Sequence, residues 1–125
     1  MNIEDVARIV CNVNKEISEF YKDDSNDYWE DANEIIKESI IYGVNSHLKE
    51  PSLTPKESHD RWLKYKKDEG WVYGCQKNVE KKTHPCLVEY DLLPEYQKMK
   101  DILFMSIVKN LEPFIGQKLC KCKEK

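Results

Sequence analysis

Residues 70–94, GWVYGCQKNVEKKTHPCLVEYDLLP, limit what this chain can fold into more than any other segment. Two glycines bracket Trp71, Val72 and Tyr73, and a His84-Pro85 pair follows. Gly70 and Gly74 permit dihedrals that other residues avoid, and the three residues between them favour extended chain. Pro85 pushes His84 out of the helical region. No helix can therefore run through this stretch. Cys86, Leu87, Val88 and Glu89 read as a short strand able to pair loosely with residues 71–75. In extended chain Trp71 and Tyr73 point to one side. They are then either core plugs or an exposed aromatic platform.

On either side the pattern is helical. Ile3, Val6, Ala7, Val10, Val13, Ile17, Phe20 and Tyr21 recur at helical period and predict a first helix with one apolar face. Residues 22–26 are polar and predict a loop, with Asn26 or Asp27 able to cap the next helix. A second helix is expected from near Trp29 to Leu48, burying Ala32, Ile35, Ile36, Ile40, Val44 and Leu48. Gly43 within it predicts a close helix–helix contact, because glycine costs about 1 kcal/mol against alanine there. Thr54, Pro55 and Glu57 form a capping box with proline at the first helical position, and this third helix stops at Gly70. The last helix opens at Pro94 and runs to about Leu111, with Met99, Ile102, Leu103, Ile107 and Val108 expected on its inner face. The fold class is mainly α: four main helices, with a short strand pair or irregular loop over about residues 70–93.

The 125 residues suit one domain, placed at 1–117, with a basic tail at 118–125 expected to be frayed. Acids and bases are mixed along a chain of net charge −3, which argues against duplex nucleic acid as a partner. No apolar run approaches the roughly 18 residues that span a bilayer, so no membrane partner is expected. The N-terminus carries acids where a secretory signal carries bases, and a cytoplasmic location with reduced cysteines is the expectation.

Lys77, Lys81, Lys82 and His84 lie within a dozen residues of the two aromatics, with Glu80 alone to balance them. An aromatic face beside ammonium groups suits a ligand with a flat base and phosphates. Stacking on such a face is worth about 1–3 kcal/mol per base. The candidate ligand-binding residues are Trp71, Tyr73, Lys77, Asn78, Lys82, Thr83 and His84, with His59, Trp62 and Tyr90 as a second wall. On sequence alone a solvated loop is the favoured reading of the lysines, and Asn78 and Thr83 are equally ordinary turn residues.

Other constellations carry less. His84 and Cys86 have no orienting third group for nucleophilic catalysis. Cys120 and Cys122 supply two of the four ligands a structural zinc needs. His47, at a helix end, reads as a capping residue. No phosphate-binding loop, dinucleotide fingerprint or metalloprotease motif is present. Neither a metal, a cofactor nor an enzymatic activity is expected.

His59-Asp60-Arg61-Trp62, then GWVYG at 70–74, then KKTHPCLVEYDLLP at 81–94, resemble in order the repeat of ryanodine receptors, the RyR domain. The repeat proper would cover about residues 58–111. Trp29 to Ala32, Gly43-Val44 and His47-Leu48, within the helices at 3–48, resemble the N-terminal half of small stand-alone bacterial and phage RyR proteins. The resemblance implies a compact helical unit that binds an adenine nucleotide or a nucleotide-derived signalling molecule, as sensor or sequestering protein, in phage–host conflict for example. It also implies a homodimer standing in for the tandem repeats of the channels, with the GWVYG segments near the two-fold axis. The competing reading is a protein–protein interaction or scaffold domain without a small-molecule ligand.

Overall fold

The computed structural model describes residues 1–116 and contains the four expected helices: α1 (Ile3–Phe20), α2 (Glu34–Lys49), α3 (Pro55–Asp68) and α4 (Glu95–Leu111). The basic tail with Cys120 and Cys122 lies outside the described residues. α1 packs on α2 and α4, and α3 closes the arrangement against α4 and α2. Val6, Ala7, Val10, Val44 and Val108 are the buried centre, where α1, α2 and α4 meet.

Local chemistry explains the helix starts. Thr54 and Glu57 close the expected capping box, each side chain accepting the other's backbone N–H at 3.1 and 3.0 Å. Asn2 and Asp5 do the same for α1. The second helix starts later than its periodicity suggests. Trp29–Asp31 form a separate 3-10 turn, Trp29 is buried, and its backbone N–H donates to Asn12 Oδ1 on α1 at 2.9 Å. Asn33, rather than Asn26 or Asp27, then caps α2 by accepting from the Ile36 N–H.

Gly43 does mark a close contact: a Cβ there would lie 2.9 Å from Phe104 Cζ on α4. The inner face of α4 holds Ile107 and Val108 as expected, but its first half differs. Met99 and Ile102 are exposed, whereas Lys100 and Phe104 face inward. Phe20, Tyr21 and Ile35, expected on buried faces, are likewise exposed.

Between α3 and α4 the chain leaves helix as expected. Gly70 takes φ +93°, and β1 (Val72–Tyr73) follows. Its partner is β2 (Thr83–His84), not residues 86–89, and the pair is parallel, with Val72 opposite Thr83 and Tyr73 opposite His84. Parallel neighbours usually need a long crossover. Here the intervening loop is folded back on itself, because Asn78 and Thr83 exchange two backbone hydrogen bonds of 3.0 Å.

Gly74 lets this pair close, since a Cβ there would sit 2.6 Å from Thr83 Cβ. Gly74→Ala is expected to lower stability by about 1–3 kcal/mol through overpacking. A urea denaturation curve with its midpoint unchanged would contradict that.

Candidate functional site

The polar groups of this fold converge on its interior. A cavity of about 190 Å³ lies among all four helices and the 70–86 segment. Each helix contributes polar residues at inward spacing: Cys11 and Asn14 from α1, Ser39 and Ser46 from α2, Ser58, His59, Trp62 and Lys66 from α3, and Gln97, Lys100 and Asp101 from α4, where Phe104 adds an apolar ring. The loop adds Lys77, His84 and Cys86. A second, wider cavity of about 660 Å³ adjoins it, the two sharing Ser25, Asp27, Lys77, Cys86 and Gln97 in their walls.

Three ammonium groups line the inner cavity, and among the described residues none has a carboxylate within 4.0 Å. Lys66 is 2% exposed and rests over the Trp71 ring at 4.3 Å. Lys100 is 5% exposed and donates to Ser18 Oγ at 2.9 Å and Asn26 Oδ1 at 2.8 Å. Lys77 completes the set. Burial lowers the pKa of all three, and that of Lys66 falls to about 8, the nearby Lys77 charge lowering it further. Buried cations are costly. Asp27 and Asp101 also line the cavity and Asp23 acts on Lys77 and Lys100, so the three positive charges are only partly balanced, from beyond ion-pair distance.

The aromatic wall is equally defined. His59 stacks on Trp62 with ring centroids 5.5 Å apart, and Trp62 meets His84 edge to face at 5.2 Å. His59 Nε2 lies 2.7 Å from the Val88 carbonyl, so the ring donates from that nitrogen and its tautomer is set. His84 Nδ1 accepts the Cys86 N–H at 3.0 Å. Burial, reinforced by Lys77, Lys66 and Lys100, lowers His84 to about 3, so the ring is neutral at ordinary pH. The Cys86 thiol is pushed up to about 11 by burial and is un-ionised at ordinary pH. Among the described residues no three His, Cys, Asp or Glu side chains gather as metal ligands.

The sequence-derived site residues therefore divide. Lys77, His84, His59 and Trp62 come together in the cavity wall, with Tyr90 beside His59 at a ring separation of 6.0 Å. Trp71 is 2% exposed and lies beneath Lys66, the core plug of its two readings. It does not share a face with Tyr73, because β1 begins only at Val72 and Tyr73 is 56% exposed. Asn78 is a turn residue whose Oδ1 accepts the Lys81 N–H. Thr83 donates its hydroxyl to the Gln76 carbonyl. Lys82, at φ +55°, donates to the Glu69 carbonyl and so caps the end of α3. His47, read as a helix cap, is buried and paired with the Ser58 hydroxyl at 2.9 Å.

Lys66, Lys100 and Asp101 were not legible as site residues. The available signal was their phase. Lys66 falls four residues after Trp62, and Lys100 four before Phe104, which places charge on faces otherwise turned inward. No helix among the described residues is long and apolar enough to cross a membrane. The family model of the RyR domain matches residues 44–113, a span that includes α3, both strands and α4.

Proposed function

We propose that this chain, which belongs to the RyR-domain family, is a non-enzymatic binding module for an anionic small molecule, a nucleotide or nucleotide-derived signal. The observation that carries the reading is the inner cavity, where Lys66, Lys77 and Lys100 face one space and, among the described residues, none has a carboxylate within 4.0 Å. A phosphate or pyrophosphate brings negative charge to these ammonium groups, and charge-assisted hydrogen bonds are stronger in a partly buried setting than in open water. The aromatic wall of His59, Trp62 and His84 offers a flat group about 1–3 kcal/mol of stacking.

Room is the second consideration. At about 190 Å³ the inner cavity is smaller than the roughly 300–1,000 Å³ typical of ligand pockets. The adjoining cavity of about 660 Å³ takes the remainder of a nucleotide across their shared wall. Neutral His84 and un-ionised Cys86 bind and shape, with no activated nucleophile between them.

A scaffold function is the second reading, favoured by apolar side chains turned to solvent. Phe20 is 81% and Leu92 71% exposed, with Met99 and Ile102 also outward. In a homodimer built around a shared ligand, buried Trp71 would offer no face to it, so any such dimer would use other residues.

Calorimetric titration with inorganic pyrophosphate and nucleoside monophosphates tests the leading reading. Lys66→Met and Lys100→Met are each expected to weaken pyrophosphate binding about tenfold or more. Lys82→Ala should leave it unchanged, because that ammonium is held at the Glu69 carbonyl. A wild-type protein that shows neither heat nor a melting shift with these anions would remove the reading.

A further inference from the structure

The lysines satisfy an anion, but the same cavity contains groups that an anion cannot satisfy. Asp101 Oδ2 and Asn14 Oδ1 are buried and have no hydrogen-bond partner, and both residues line the inner cavity. Buried acceptors without donors are rare and costly in folded proteins. Asp101 is the more telling of the two. Its sequence neighbour Lys100 directs its ammonium to Ser18 and Asn26 instead. Cys86 and Tyr90, which feel the Asp101 charge, offer it no hydrogen bond. An ionised carboxylate among phosphate-binding lysines repels phosphate. Its place in the wall makes sense when the ligand turns a different group toward it.

We infer that Asp101, assisted by Asn14, accepts a hydrogen bond from an N–H donor on the ligand's base, so that the cavity selects bases by their donor edge. This rests on the anion-binding reading and adds to it the class of base. The lysines hold the phosphates, and the carboxylate distinguishes an amino- or imino-bearing base from one lacking such a group. Carboxylates read base N–H donors in this manner elsewhere in nucleic-acid recognition. A site built around such an acceptor also rejects analogues without the donor, because the buried oxygen is then left unpaired.

The experiment compares AMP, GMP and CMP with purine riboside 5′-monophosphate, whose base has no N–H donor, and with inorganic pyrophosphate. Titrations at pH 7.5 keep Asp101 mainly ionised, its carboxyl being pushed up to about 7 by burial, and Lys66, lowered to about 8, mainly protonated. Wild type is expected to bind at least one of the first three about tenfold or more tighter than purine riboside 5′-monophosphate. Asp101→Leu should bring that ratio to parity while pyrophosphate binds as well or better. Asp101→Asn keeps an acceptor without the charge, and should retain part of the preference. Asp101→Ala makes the same deletion if leucine does not fit. Wild type binding purine riboside 5′-monophosphate as tightly as the best natural nucleotide would overturn the inference, as would an undiminished ratio in the deletion variant. Pyrophosphate separates the two levels. If it binds while the base preference is missing, the donor inference alone fails; if it does not bind, the anion reading fails and this one with it.

Discussion

Trp71→Ala is expected to cost about 3–5 kcal/mol of folding stability, as deletion of a fully buried indole does. Trp71 is among the largest fully buried side chains of the protein, and Lys66 lies over its ring. Truncation leaves a cavity and also takes away the π face under that ammonium, an attraction worth up to about 2 kcal/mol when desolvated. A small domain has only about 5–15 kcal/mol in total, so the variant should be largely unfolded or melt many degrees lower. Trp71→Phe is the informative companion. The indole Nε1 is buried without an acceptor, so phenylalanine removes an orphaned donor while keeping most of the apolar volume. Its loss should be much smaller. Denaturant unfolding of both variants checks this, and an alanine variant as stable as wild type would mean that the indole is not a core element.

Lys66→Met is expected to act in the opposite sense, stabilising the ligand-free protein by about 1–2 kcal/mol while weakening anion binding about tenfold or more. Desolvation lowers Lys66 from 10.5 to about 8, so its charged form disfavours the folded state. That penalty is full below pH 8 and diminishes as pH rises toward 10.5, because the unfolded chain then binds more protons than the folded one. The lost contact with Trp71 offsets part of the gain. Asp101 gives the complementary pH signature. Burial raises its carboxyl from 3.8 to about 7. Its contribution is most favourable below pH 4 and is lost progressively as pH rises to 7, where the folded state must also ionise. Urea denaturation of wild type, Lys66→Met and Asp101→Asn from pH 4 to 10 resolves both. Asp101→Asn should flatten the acid side, and Lys66→Met the alkaline side. A methionine variant less stable than wild type at pH 7 would show that Lys66 is paired more favourably than its surroundings indicate.

The sequence by itself determined the elements and their order. Capping at Thr54 and Glu57, the stop at Gly70 and the break at Pro85 act through neighbouring backbone atoms, and they operate before any tertiary contact forms. The close approach at Gly43 was legible for the same reason: a glycine in mid-helix has a local cost that a packing contact repays. Hydrophobic periodicity, by contrast, assigned Met99 and Ile102 to the inner face of α4. It assumes that charge faces water, whereas here Lys100 and Asp101 are turned into a cavity. The same assumption kept Lys66 out of the candidate site, and the mere nearness of Lys82 to the aromatics brought it in. Only the tertiary structure decided that Trp71 is core, that the strand partner is Thr83–His84, and that three lysines from α3, a loop and α4 share one space. Those lysines are separated by 11 and 23 residues in the chain. Their unfavourable proximity is imposed by helix packing, and nothing local in the sequence encodes it.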